Sequence, residues 1–296
     1  MTANPIFRGA ATALITPMHA DGAVDYETFG RLIDWQITAG IDALVIAGTT
    51  GEGSTLSDKE HREVLSYATE RIAGRVPCIV GTGSNDIAYA VDLTKFACSI
   101  GADAMLVVTP YYNKATQKGL IASYNAVADA SDKPIIVYNV PSRTGVGIEP
   151  ATYVELAKHP NISAIKEANG NISKIVETFA LVGDKLDIYS GNDDQIVPIL
   201  SMGGSGVISV LSNLVPAQTS ELCKRWFNGD IAGSAKMQCD YPALVKALVC
   251  EVNPIPVKAA MAAMGYGTNT LRLPLTPMES ANEAKLLGLM KAQGII

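Results

Sequence analysis

The sequence is short of the residues that build metal and disulfide sites. Its 296 residues include only three histidines, His19, His61 and His159, far apart along the chain. That spacing argues against a dedicated zinc site. The five cysteines, Cys78, Cys98, Cys223, Cys239 and Cys250, are scattered, odd in number and without a C-x-x-C pair. This argues against a disulfide framework and fits free thiols in a reducing compartment. No long block of like charge occurs, and 23 basic against 29 acidic residues leave a formal net charge of -6. A sequence-independent grip on nucleic acid is therefore not expected. No run of about 18 apolar residues exists to span a membrane. The opening stretch MTANPIFRGAATALITP has no basic segment followed by a long apolar core and a small-residue cleavage site. We expect no secretory signal, and so a cytoplasmic protein.

What the chain does have is a core. Hydrophobic residues make up 48% and charged residues 18%, the balance of a well-filled globular protein. Short runs rich in Val, Ile and Ala recur: ATALITP (11–17), ALVIAG (43–48), CIVGTG (78–83), AMLVVTP (104–110), IIVYNV (135–140), SAIKEA (163–168), DIYSGN (187–192) and GVISVL (206–211). Continuous apolar runs bounded by Gly, Pro or Asn suit strands buried on both faces, as in a parallel sheet. Amphipathic stretches lie between them. One, SDKEHREVLSYATERIAG, offers Ser57 as N-cap, Glu60 three residues on and Gly74 at the stop.

Eight strand–helix repeats in roughly 225 residues is the count and size of a (β/α)8 TIM barrel, an α/β fold. A doubly wound open sheet is the alternative, but the G-x-G-x-x-G fingerprint is missing after the first strand. After Gly229 the strand signal stops. IAGSAKMQCDYPALVKALV, NPIPVKAAMAAMG and ESANEAKLLGLMKAQ read as helices with turns at Pro and Gly clusters. We expect one barrel over residues 1–228 and a helical extension over 229–296.

Active sites of such barrels lie at the C-terminal ends of the strands. The segment AIKEANG places Lys166 there. Strand alternation puts Ala164, Lys166 and Ala168 on one face, and Ile165 and Glu167 on the other. If the first face points inward, the alanines leave room for the lysine. Desolvation would then lower its pKa, by as much as about 3–5 units at full burial. A neutral amine is the nucleophile that condenses with a carbonyl to form a Schiff base. The bland alternative is a lysine that snorkels to the surface or pairs with Glu167.

Other strand ends carry hydroxyls and one guanidinium. GTTGEGS (48–54) combines three glycines with Thr49 and Thr50. It suits a carboxylate or phosphate approached by backbone N–H groups, or equally an ordinary turn with a capped helix. It is not a P-loop, because no lysine follows the glycines. Tyr138 shares a strand face with Ile136 and Val140, so its phenol could move a proton or simply fill the barrel. Arg143, in PSRTG, could hold a carboxylate bidentately or lie solvated on its loop. Tyr111 and Tyr112 are adjacent aromatics on a rim loop, and fit packing at a subunit interface as well.

GTTGE (48–52), TPYYN (109–113), VYNVPSRTG (137–145), IKEANGN (165–171) and SGNDD (190–194) occur in that order. Taken together they are far more specific than any one of them. The chain resembles the dihydrodipicolinate synthase / N-acetylneuraminate lyase family of Schiff-base aldolases, from the first strand into the C-terminal helices. The resemblance implies that Lys166 forms an imine with pyruvate. Thr50 and its backbone would hold the pyruvate carboxylate. Tyr138 would be the general acid/base, linked through Thr49 to Tyr112, which in the family reaches in from a neighbouring subunit. Arg143 would bind the carboxylate of L-aspartate 4-semialdehyde, and Gly191 and Ile208 would line the pocket. The expected partners are pyruvate, that semialdehyde and copies of this chain, in at least a dimer and usually a homotetramer. No metal or organic cofactor is implied, the covalent imine taking its place. The expected reaction opens the diaminopimelate and lysine pathway. A sialic-acid or sugar-acid aldolase is the second choice, although Arg143 suits a short substrate with a second carboxylate. A barrel that lost its chemistry, or a nucleotide-binding α/β protein, is a third class. It is disfavoured by the retained Lys166, Tyr138, Thr49, Tyr112 and Arg143, and by the missing nucleotide motifs. The resemblance also implies a lysine-inhibition site, matched here at His61, Asn85 and Tyr111. Position 89 is Tyr where the lysine-sensitive pattern has a glutamate, and Asp58 replaces a histidine. We expect weak or absent inhibition by lysine.

Overall fold

Parallel pairing of eight short strands sets the frame. The computed structural model describes residues 5–296. The first four residues of the stretch read for a secretory signal thus lie outside the described residues. The strands are β1 (Gly9–Ala13), β2 (Ala43–Ile46), β3 (Cys78–Gly81), β4 (Ala104–Val108), β5 (Ile135–Asn139), β6 (Ile162–Glu167), β7 (Asp187–Ser190) and β8 (Gly206–Ser209). They form a closed parallel barrel in sequence order, with helices between them and more helices after β8. This is the expected (β/α)8 architecture. Nearly every strand residue is buried, which is why the strands read as continuous apolar runs rather than alternating ones.

The chain packs as two compact units. One holds Pro77–Ile208 with the segment ending at Gly9, and the other holds Ala10–Val76 with Ser209–Ile296. Within the first, β5 and β6 run in register, Tyr138 opposite Lys166 and Asn139 opposite Glu167. Within the second, the helix Asp58–Ile72 opens on the expected capping box. Ser57 Oγ accepts from Glu60 N, and Glu60 Oε2 accepts from Ser57 N. It ends at Ala73, in the left-handed region at φ 50°, one residue ahead of Gly74.

After the barrel come helices Pro216–Phe227, Ile231–Asp240, Pro242–Leu248, Ile255–Ala263 and Ser280–Ala292. The stretch from Ile231 divides into two helices at Tyr241–Pro242, a turn at a proline as expected. Proline has no N–H to continue the ladder, and starts the next helix instead. No helix among the described residues is long and apolar enough to cross a membrane.

Candidate active site

In the unit of Pro77–Ile208, the strand pleat sorts two ionisable neighbours to opposite faces. Lys166 is 5% exposed, between Ala164 on its own face and the ring of Tyr138 on β5. Its Nζ sits 4.2 Å from the Tyr138 ring centroid. Burial pulls the ammonium down from its ordinary 10.5 to about 7; Asp193 opposes that shift and the Arg143 guanidinium adds to it. Near neutrality about half of the amine is therefore unprotonated, the form that attacks a carbonyl. Among the described residues Lys166 forms no ion pair, which removes the bland pairing with Glu167.

Glu167 faces the other way and is fully buried. Its carboxyl accepts from Asn139 Nδ2 at 3.0 and 3.2 Å, from the Tyr153 hydroxyl at 3.1 Å and from the backbone N–H of Asn169 at 2.9 Å. Burial raises its pKa to about 7, against those hydrogen bonds. Asn139 Oδ1 in turn accepts from Ile148 N at 3.1 Å. This network ties the ends of β5 and β6 together behind Lys166. The sequence reading missed it. The only sign was a pair of polar residues, Asn139 and Glu167, closing two apolar runs.

Arg143 lies in the single helical turn Pro141–Thr144 directly after β5, with Gly145 at φ 72° ending it. It is exposed, and its charge reaches Lys166. Gly191 follows β7 and donates its N–H to Glu167 O at 2.7 Å. A Cβ there would come within 2.7 Å of Ala168 Cβ and 3.1 Å of Glu167 O, so only glycine fits without displacement. Ile208 is buried on β8. Tyr112 stands apart: it is 88% exposed and its backbone sits at φ 74°, a conformation an aromatic residue rarely adopts.

Thr49 and Thr50 belong to the other unit, on the loop after β2. Thr49 is half-buried and Thr50 buried. The glycines of this loop answer to crowding. A Cβ on Gly53 would lie 2.2 Å from Ala47 O. Thr16 Oγ1 donates to Gly51 O at 2.7 Å. Glu52, buried and left-handed at φ 54°, accepts from Lys258 Nζ at 2.5 Å and from Arg272 N at 3.1 Å. The Arg272 guanidinium grips Glu60 at 2.6 and 2.9 Å, and these bonds hold the Glu60 carboxyl down at about 2. Thr50 Oγ1 accepts from Asn253 Nδ2 at 2.9 Å. None of Asn253, Lys258 and Arg272 was legible as part of this loop, because each lies some 200 residues from its partner.

The chain matches known proteins along nearly its whole length. The family model for the dihydrodipicolinate synthetase family matches residues 6–293. A 4-hydroxy-tetrahydrodipicolinate synthase of Caldicellulosiruptor bescii is 51% identical over 290 residues, 98% of this chain and 98% of the relative. The crystal structure of the dihydrodipicolinate synthase of Thermotoga maritima superposes with a TM-score of 0.95 at 42% identity, covering 99% of this chain and 100% of the other. The chloride-inhibited dihydrodipicolinate synthase of Acinetobacter baumannii, solved in complex with pyruvate, gives 0.95 at 41% identity, with 98% and 99% covered. By the reach of the family model and by these identities, the chain belongs to the dihydrodipicolinate synthetase family.

Proposed function

We propose that this chain condenses pyruvate with L-aspartate 4-semialdehyde to 4-hydroxy-tetrahydrodipicolinate, through an imine on Lys166. The observation that carries the proposal is the buried amine of Lys166, near-neutral and stacked on Tyr138. It occurs in a chain whose relatives bear the name of that synthase.

The neutral amine adds to the pyruvate carbonyl and loses water, leaving a protonated imine. The imine withdraws electrons, so the pyruvate methyl gives up a proton and becomes an enamine. The enamine carbon bonds to the aldehyde carbon of the second substrate. The amino group of that substrate then attacks the imine carbon, expels Lys166 as the free amine and closes the six-membered ring. Tyr138 is the acid/base, relayed through Thr49 to Tyr112 of a neighbouring subunit. Thr50 holds the pyruvate carboxylate and Arg143 the carboxylate of the semialdehyde, while Gly191 and Ile208 line the pocket. No step calls for a metal or organic cofactor.

The assembly is at least a dimer, and a homotetramer on the family pattern. The exposed, strained Tyr112 supports the first interface. On the helix Ile172–Val182, the exposed Ile172 and Val176, four residues apart on one face, support the second. Residues 1–228 form the catalytic barrel of a cytoplasmic enzyme, and 229–296 an extension that supports it. The relatives' names and Arg143 both weigh against a sugar-acid aldolase.

The test is incubation with pyruvate and borohydride, followed by peptide mass spectrometry, with Lys166→Ala as control. A reduced pyruvyl adduct confined to Lys166, together with turnover of aspartate semialdehyde, is expected. An adduct on another lysine, or none in folded protein, would remove Lys166 from the chemistry.

A further inference from the structure

The segment NPIPVK, residues 253–258, opens one of the C-terminal helices and takes no part in the steps above. Its polar side chains nevertheless end on a single loop, that of Thr49 and Thr50. Asn253, 8% exposed, donates its amide Nδ2 to Thr50 Oγ1 at 2.9 Å. Lys258, from the same segment, reaches Glu52 two residues further along the loop. The loop is thus held at two points by one short stretch of chain.

The Asn253 contact has a direction. A threonine hydroxyl has one proton to give and lone pairs that accept. With an amide N–H against its oxygen, the Thr50 hydroxyl turns its own proton elsewhere, and among the described residues it donates to none. The structure turns Asn253 Nδ2 towards Thr50 at 2.9 Å, while the buried Asn253 Oδ1 has no hydrogen-bond partner among the described residues. A hydroxyl fixed as a donor is what an incoming carboxylate requires, and a charge-assisted bond of this kind is stronger than a neutral one.

We propose that Asn253 is a positioning residue for substrate: it keeps the Thr50 hydroxyl aimed as a hydrogen donor at the carboxylate of the 2-keto acid. This rests on the reading of Lys166 and Thr50 as the pyruvate site. Asparagine is needed because it can donate here. Aspartate would take the Thr50 proton for itself and add a like charge. Alanine would leave the hydroxyl free to turn.

The test is borohydride trapping over a range of pyruvate concentrations, read as the concentration that gives half-maximal adduct. Melting temperatures establish which variants fold. Asn253→Asp is expected to raise the half-saturating concentration by about 10–100-fold and Asn253→Ala by about 3–10-fold. At saturating pyruvate both still give adduct on Lys166. The discriminating comparison is made without the hydroxyl. In a Thr50→Val background, Asn253→Ala is expected to change half-saturation by less than about twofold. A purely structural role would persist undiminished in that background, and that result overturns the proposal. Wild-type half-saturation in Asn253→Asp also overturns it. Should Asn253→Asp not fold, the alanine and valine variants carry the same comparison. No adduct in the wild-type protein at any pyruvate concentration would instead bring down the parent reading, and this inference with it.

Discussion

A lysine at 5% exposure, with an aromatic face 4.2 Å from its ammonium, feels opposed forces. The Tyr138 ring favours the charged form by about 1–2 kcal/mol. Desolvation favours the neutral form, and the fall to about 7 says that desolvation prevails. The sign of the pH dependence follows. Only the neutral amine attacks, so the rate of imine trapping at low pyruvate should climb with pH and level off above a midpoint near 7. Asp193 stabilises the ammonium, so Asp193→Asn should move the midpoint to lower pH. Arg143 destabilises it, so Arg143→Gln should move it to higher pH. Glu167 also titrates near 7, but on the far face of β6; only the Lys166 midpoint should follow both charge changes. A cyanoborohydride pH series would check this, and a midpoint left near 10 would sink it. Lys166 itself was legible because a lone lysine between alanines at a strand end is expensive. Glu167 was not. Alternation puts it on the face away from Lys166 but does not say what meets it there; in the structure the Tyr153 hydroxyl reaches the carboxyl.

The loop after β2 is an element built from distant parts. Glu52 and Lys258 are both fully buried, and each is the other's countercharge. Removing one partner leaves an uncompensated charge. Lys258→Met should therefore cost about 3–5 kcal/mol, and Glu52→Gln in the same chain should recover much of it. Urea unfolding of the single and double variants measures both; equal losses in the two would refute the pairing argument. Seven of the eight strands were legible to within two residues, since Val, Ile and Ala runs bounded by Gly, Pro or Asn carry their own limits; β1 ends at Ala13, four residues before its run does. β1 begins at Gly9, two residues before the apolar run, because Gly9 N already bonds Ser205 O. That pairing partner lies far along the chain, beyond what local pattern can encode. The same distance hid Asn253 and Lys258, whose segment reads as an apolar helix with two stray polar residues.

At the scale of the whole molecule, the positions at which the resemblance implies lysine inhibition lie on separate elements: His61 on the helix Asp58–Ile72, Asn85 just ahead of the helix Ile87–Ser99, and Tyr111 on a rim loop. Asp58 is already engaged by Arg62 at 3.0 Å. The half-buried Tyr89 offers a phenol where an ammonium would need a carboxylate. Lysine should inhibit turnover weakly or not at all, and inhibition at low micromolar lysine would overturn that expectation. Tyr112, nearly bare on the single chain and strained in its backbone, carries a further consequence under the proposed assembly. A catalytic relay finished by a second copy obeys mass action. On dilution below the dimer dissociation constant, each chain stays folded and keeps its lysine, yet its share of working sites falls. Output would then rise more steeply than in proportion to copy number, so that halving the amount of protein in a cell would cost more than half of its flux.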